Sequence, residues 1–237
     1  MGAAYVQAGV KDLRSAIKAR ALDSDKYANG RVLVIGGSPD FHGAPALSYL
    51  AAHAMLAAMR SGAGYVSAFV PRSALVANRS VSPCVIVRPF KLNILSKRDM
   101  GSILEHIDRS DSIIAGPGMG KSADSAAAAK TIVTQCIKRR KIVVVDADAI
   151  HPVSELNGLN SQTIFTPNHA EFEKEWGPAP NQTAHLCKKV RDVARKTGAC
   201  ILLKGHETVV SDGRSTKIMR ASRRAQQALN TEYGKYP

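Results

Sequence analysis

Two rhythms alternate along the chain. Short, mostly apolar runs fall at residues 32–35, 65–70, 84–87, 112–115, 142–145, 163–165 and 199–203. Runs this short, bounded by glycine, proline or aspartate, predict strands buried on both faces, as in a parallel sheet. Between them lie longer stretches of helical character. Residues 44–59 are rich in Ala, Leu and Met, with Pro45 tolerated in the first turn and Gly62-Ala-Gly64 closing the segment. Further helices are predicted at 102–107, at 122–137 with Ser122 as N-cap, at 171–176, and at 182–197 with Gly198 as C-cap. A lead-in helix is predicted at 10–21, and a short second strand at 207–210 turns at Asp212-Gly213. Alternating strand and helix with short connections predicts a doubly wound α/β sandwich.

Composition adds bounds. The 237 residues suffice for one large domain with a core, and 45% hydrophobic with 22% charged residues is ordinary for a globular protein. No apolar run is long enough for a membrane span, and the first residues lack a basic then apolar signal pattern, so a cytoplasmic setting is expected. Cys84, Cys136, Cys187 and Cys200 are scattered, which predicts buried thiols and no disulfide framework or zinc site. The formal charge of +14 attracts anions such as nucleotides. Nucleic acid is disfavoured as a partner. Aromatics are only 5%, the basic residues are spread, and the densest run, Lys138-Arg-Arg-Lys141, suits a helix C-terminus.

Candidate chemistry lies where strands run into loops, because ligands of open α/β sheets sit beyond the carboxyl ends of the strands. Gly36-Gly-Ser-Pro-Asp-Phe-His-Gly-Ala-Pro45 joins strand to helix without Rossmann or Walker spacing. Gly116-Pro-Gly-Met-Gly120 holds more glycine than a turn needs. Asp146 and Asp148 place two carboxylates at one strand end, where they could hold Mg²⁺ through water or polarise a hydroxyl, or one could cap the next helix. Thr166 or Asn168 would cap the following helix, with Glu171 completing a box and His169 a ligand candidate. Lys204 could pair with phosphate, or lie on the surface.

Taken in order, Gly30-Arg-Val-Leu-Val-Ile-Gly-Gly-Ser38, Gly43-Ala-Pro45, Arg60-Ser-Gly-Ala-Gly-Tyr-Val66, Gly116-Pro-Gly-Met-Gly120, Val145-Asp-Ala-Asp-Ala149, Thr166-Pro-Asn-His-Ala-Glu171 and Leu203-Lys-Gly-His-Glu-Thr208 resemble the NAD(P)H-hydrate dehydratase family. The resemblance spans about residues 8 to 218. It implies a ribokinase-like three-layer α/β/α sandwich with a mostly parallel sheet, incomplete at the C-terminus. It also implies an activity: hydrated NADH or NADPH is phosphorylated on its hydroxyl by ADP (ATP in eukaryotes) and eliminated, giving NAD(P)H, AMP and phosphate with Mg²⁺ assisting. By matching position, Ala44, Gly118 and Asn168 would touch the hydrated dinucleotide. Lys204, Gly205, His206, Glu207 and Thr208 would line the adenine nucleotide. Asn168 replaces the histidine usual in the family's Thr-Pro-His motif, which keeps hydrogen bonding but cannot titrate. The family is commonly oligomeric, so self-association is expected.

One departure limits the implied chemistry. The family carries a Gly-Thr-Gly-Asp loop after the Lys-Gly strand, whose amides cradle the transferred phosphate and whose aspartate is the base. No such sequence occurs after residue 213. Residues 219–237 read as a basic tail outside the family pattern, of the kind a shifted reading frame produces. They lack apolar helices to cover one side of the sheet, so an uncovered apolar face is expected. No catalytic residue is assigned, and negligible dehydratase turnover is expected. Two other readings stay open at this point: a ribokinase-like kinase of a small hydroxylated metabolite, and a non-catalytic nucleotide-binding protein.

Overall fold

A computed structural model of the chain describes residues 5–9, 11, 12, 15, 22–39, 55, 58, 59, 61–80 and 82–220. Its centre is one sheet with strand order β1-β10-β9-β8-β7-β6-β5-β2-β3-β4. The strands are β1 (Val6–Gln7), β2 (Arg31–Ile35), β3 (Tyr65–Val70), β4 (Val85–Pro89), β5 (Ser112–Ala115), β6 (Ile142–Val145), β7 (Thr163–Phe165), β8 (Cys200–Leu203), β9 (Glu207–Ser211) and β10 (Thr216–Arg220). β2 through β8 pair in parallel, and β9 runs antiparallel to both β8 and β10. The described helices are α1 (Leu75–Arg79), α2 (Met100–Asp108), α3 (Ala123–Lys138), α4 (Ile150–Ser154), α5 (His169–Trp176) and α6 (Thr183–Thr197).

The strand pattern tracks the apolar runs closely, and the differences have local causes. β4 begins one residue later than the run at 84–87 and extends to Pro89, which pairs with Val70. An edge strand tolerates proline because the missing N–H faces no neighbour. α5 begins at His169 rather than 171, because Asn168 and Glu171 form a reciprocal capping box. Ser122 caps α3 by accepting from the Ser125 N–H, and Gly198 closes α6 in the left-handed conformation. β10, Thr-Lys-Ile-Met-Arg, holds only two adjacent apolar residues, so no apolar run marked it, and it carries the sheet on through Met219 and Arg220. Residues 10–21 are helical at Lys11, Asp12 and Ser15, and 44–59 at Met55, Ala58 and Met59. The rest of those two predicted helices lies outside the described residues.

The two faces of the sheet are packed unequally. On one face, Leu33, Ile35, Ile113, Val143, Val145, Phe165, Ile201, Leu203 and Val209 are wholly buried. They meet Ile103 and Ile107 of α2, Ile132 and Cys136 of α3, Phe172 of α5 and Val190 of α6 in one continuous core. On the other face, Val34, Val66, Ala68, Val70 and Val87 are buried in a smaller cluster with Met55 and Ala58. Beyond β2 that face opens, and Ile114, Val144, Ile164, Leu202 and Val210 are only half-buried. All four cysteines are free thiols; Cys136 and Cys187 are buried as expected, whereas Cys84 is exposed, in the turn before β4, and Cys200 is half-buried.

Candidate functional site at the strand-order reversal

β2 lies between β3 and β5, so the connections of the sheet run one way from β2 to β4 and the other way from β5 to β8. Loops leaving the two central strands diverge at such a point and open a crevice. Here the crevice is built from backbone at very short range. The Gly37 N–H donates to the Pro117 carbonyl at 2.8 Å. A Cβ on Gly36 would lie 2.3 Å from that carbonyl oxygen, and one on Gly116 would lie 1.8 Å from the Asp146 carbonyl oxygen. Gly116, Gly118 and Gly120 all have positive φ, at 123°, 61° and 80°. The glycine excess noted in the sequence therefore lets three loops stack, those after β2, β5 and β6. Ser38, in the first of them, has a buried hydroxyl with no hydrogen-bond partner among the described residues.

The two carboxylates after β6 diverge. Asp148 Oδ2 accepts the Gly120 N–H at 3.0 Å. Asp146 Oδ1 accepts the Thr166 hydroxyl and the Lys204 ammonium, each at 2.8 Å. Neither side chain caps the following helical turn. Between them Ala147 sits at φ 48°, a left-handed conformation that costs a non-glycine residue about 1–2 kcal/mol. Backbone strain of this kind clusters at ligand sites. Among the described residues no group of three His, Cys, Asp or Glu side chains could hold a metal ion. Each aspartate uses one oxygen on these protein donors, Oδ2 of Asp148 and Oδ1 of Asp146.

The loops after β7 and β8 form the other half of the site. The Lys204 N–H donates to the Pro167 carbonyl at 2.8 Å, and Asn168 and Lys204 form a parallel bridge. Asn168, not Thr166, is the cap: its Oδ1 accepts the Glu171 N–H and its own N–H donates to Glu171 Oε2, both at 2.8 Å. A Cβ on Gly205 would come within 2.7 Å of His169 Nε2, so this glycine is needed for the close fit of the two loops. The structure thus brings Asn168, Lys204 and Gly205 together, and Asp146 links Lys204 to the crevice at Gly116. His206 is exposed. The Thr208 hydroxyl points back to the Gly205 carbonyl at 3.4 Å. Glu207 turns toward α6: its carboxylate accepts from the Thr183 hydroxyl and from Arg220 Nε, each at 2.7 Å. The Thr183 hydroxyl, then Arg220, hold it below the usual glutamate range against the opposing effect of desolvation. Ala44 lies outside the described residues.

Next to Gly120 and Asp148 a cavity of about 320 Å³ opens between α3, α4 and α5, with Lys121, His151, Ala170 and Glu175 among its lining residues. His151 Nδ1 lies 3.0 Å from Glu175 Oε2, which also accepts the Ser154 hydroxyl at 3.0 Å.

The family profile described as NAD(P)H-hydrate dehydratase matches residues 32–228. The ADP-dependent (S)-NAD(P)H-hydrate dehydratase of Nitrosopumilus maritimus is 34% identical over 204 residues, covering 85% of this chain and 68% of that protein. This chain belongs to the NAD(P)H-hydrate dehydratase family. The bifunctional NAD(P)H-hydrate repair enzyme of Pyrobaculum aerophilum is 32% identical over 84% of this chain. The chain spans only 38% of that longer protein. Among solved structures, a ribokinase-like superfamily protein from Enterococcus faecalis superposes with a TM-score of 0.74 at 23% identity, covering 92% of this chain and 72% of that one. The Bacillus subtilis ADP/ATP-dependent NAD(P)H-hydrate dehydratase, co-crystallised with ATP/Mg²⁺, gives 0.69 at 19% identity, covering 92% and 74%. The fold is ribokinase-like.

In this dehydratase-family member, several site features had no sequence signal. The strain at Ala147 comes from an ordinary alanine. The Gly120–Asp148 and Lys204–Asp146 contacts join residues 28 and 58 positions apart. The His151–Glu175–Ser154 cluster joins two helices, with 24 positions between the histidine and the glutamate. Loop composition marks the strand ends, but only the strand order shows which loops meet.

Proposed function

We propose that this chain binds adenine nucleotide at Lys204–Thr208 and hydrated NAD(P)H across Gly118 and Asn168, with Ala44 completing the substrate contacts, in service of ADP- or ATP-dependent repair of (S)-NAD(P)H-hydrate. The observation that carries this reading is the interlocked glycine crevice at the strand-order reversal, with the unpartnered Ser38 hydroxyl inside it. Backbone bared by glycine admits phosphate closely, and a buried hydroxyl without a partner favours a polar ligand. The Lys204–Asp146 pair supports it as well. Its side chains are 45% and 27% exposed, and such pairs contribute only about 0–1 kcal/mol, so a phosphate can take the ammonium from the carboxylate at little cost. Asn168 spends its side-chain oxygen on the helix cap, which leaves its NH₂ group for the substrate. Mg²⁺ would arrive with the nucleotide phosphates, since it binds through one or two carboxylates plus substrate oxygens. Nucleotide substrates accord with a cytoplasmic setting, and self-association belongs to the same reading.

The 237 residues contain no Gly-Thr-Gly-Asp sequence. They therefore do not supply the base and amide cradle that the resemblance implies, and this chain alone is expected to bind without appreciable turnover. The test is calorimetric titration of Mg-ADP and Mg-ATP, followed by incubation with NADH-hydrate and product analysis. We expect binding that weakens about tenfold in Lys204→Gln, and no NADH regeneration. Binding indifferent to Lys204→Gln would sink the nucleotide assignment. Normal NADH regeneration would sink the expectation of negligible turnover. A stable phosphorylated product would mark a kinase instead.

A further inference from the structure

A second cavity, of about 250 Å³, lies away from the crevice, between α2 and the strands β2 to β4. The register explains its character. Tyr65, Ser67 and Phe69 alternate onto the face that α2 covers, and Arg88 of β4 stands opposite Phe69. Along most of the sheet this face is largely apolar, and here a serine that is only 2% exposed and an arginine occupy it. Arg88 Nη1 is buried and has no hydrogen-bond partner among the described residues. A buried donor left unpaired costs about 1–3 kcal/mol, so its presence calls for an acceptor.

The end of α2 adds a second guanidinium: Arg109 lines the same space, with His106 and with Ser110, whose hydroxyl donates to the His106 carbonyl at 2.7 Å. His106 gives Nδ1 to the Ser102 carbonyl at 2.8 Å, so only Nε2 is available to a ligand. The acidic groups nearby do not quench the site. Asp111 is held by Arg31 through Nε at 3.1 Å and Nη2 at 2.8 Å, and by the Arg31 N–H at 2.8 Å. Glu105 lies 3.6 Å from Arg109, but both side chains are mostly exposed. Arg88 has no acidic partner among the described residues. Tyr27 and Tyr65, with ring centroids 5.7 Å apart, form an aromatic wall.

We propose that this cavity is a binding site for a small phosphate-bearing ligand, with Arg88 and Arg109 gripping the phosphate and the tyrosine pair meeting the group attached to it. Two guanidiniums and the Ser67 hydroxyl exceed what one carboxylate accepts but suit the three oxygens of a phosphate monoester. The volume exceeds that of a bare phosphate and leaves room for a group of sugar size. The site shares no lining residue with the crevice or its neighbouring cavity, and the inference stands apart from the repair reading.

The test uses the full chain at fixed ionic strength, titrated by calorimetry with ribose 5-phosphate and separately with inorganic phosphate, with and without saturating ADP. Binding of one equivalent is expected, unchanged by ADP and weakened about tenfold or more in Arg88→Gln and in Arg109→Gln. Tighter binding of ribose 5-phosphate would identify a phosphorylated metabolite, and equal affinity would identify free phosphate. Should Arg88→Gln fail to fold, Arg109→Gln, on the exposed end of α2, decides. Absence of binding at millimolar ligand, displacement by ADP, or affinity unmoved in Arg109→Gln would overturn the proposal.

Discussion

The second face of the sheet has two halves that share a strand grammar but not a cover. Over β2, β3 and β4 it carries Val34, Val66, Ala68 and Val87, packed under Met55 and Ala58. Over β5 to β9 it carries Ile114, Val144, Ile164, Leu202 and Val210, equally apolar and only half-buried. The contrast teaches that an apolar run reports a strand's capacity for burial, whereas realised burial depends on what another segment lays over it. Beyond β2 the apolar residues of this face are half-buried rather than fully buried. The opposite face closes without a break from β2 to β10.

The contrast can be broken or sharpened at neighbouring residues of one strand. Phe165, wholly buried and set 5.6 Å from the Trp176 ring, faces the closed side, and Ile164 faces the open one. Phe165→Ala is expected to lower stability by about 3–5 kcal/mol and Ile164→Ala by less than about 2, measured by urea unfolding. The reverse order would show that the open face is covered in solution. Next in size, Val143→Thr buries a hydroxyl on the closed face and is expected to cost about 1–3 kcal/mol. Val144→Thr on the open face should cost under about 1 kcal/mol and raise solubility, read from the concentration at which the protein precipitates.

Acid should loosen the closed side through Glu207. Its pKa is lowered in the folded protein by Thr183 and Arg220, so its contribution is complete above the unfolded value of about 4.3 and fades as pH falls through the lower folded value. The urea midpoint is expected to drop modestly between about pH 5 and about pH 3, and less so in Glu207→Gln. The smallest effect is a ranking of thiols by a colorimetric reagent. Cys84 is exposed and reacts first. Cys200, half-buried on the open face, follows. Cys136, pushed up to about 12 by burial under the closed face, is last. Cys136 reacting before Cys200 would contradict the assignment of faces.

The parallel strands were legible because each is a short apolar run bounded by a turn signal, and Tyr65–Val70, Ser112–Ala115, Ile142–Val145 and Thr163–Phe165 fall where the pattern places them. β10 was not, since Thr216 to Arg220 is mostly polar and is fixed by pairing with β9. Of the site, loop composition picked out Gly118, Asn168 and Lys204 as neighbours of the strand ends. It could not show that Lys204 reaches Asp146, that Asn168 is half spent on a helix cap, or that Glu207 belongs to the clasp on α6. Those facts depend on side-chain partners far away in sequence, and periodicity carries no information about them. Arg88, with its buried Nη1, was silent for the same reason, being a polar residue just past the apolar run 84–87.

The Arg31–Asp111 clamp joins residues 80 positions apart, and it fastens the two strands between which the crevice opens. Pairings of such long range are slow to form, because the loop must close before any contact rewards it. A chain emerging from the ribosome can assemble β2, β3 and β4 well before β5 exists. The ligand crevice is thus among the last parts of the molecule to take shape, and a slowed or interrupted synthesis would leave a three-stranded intermediate whose binding loops have nothing yet to close against.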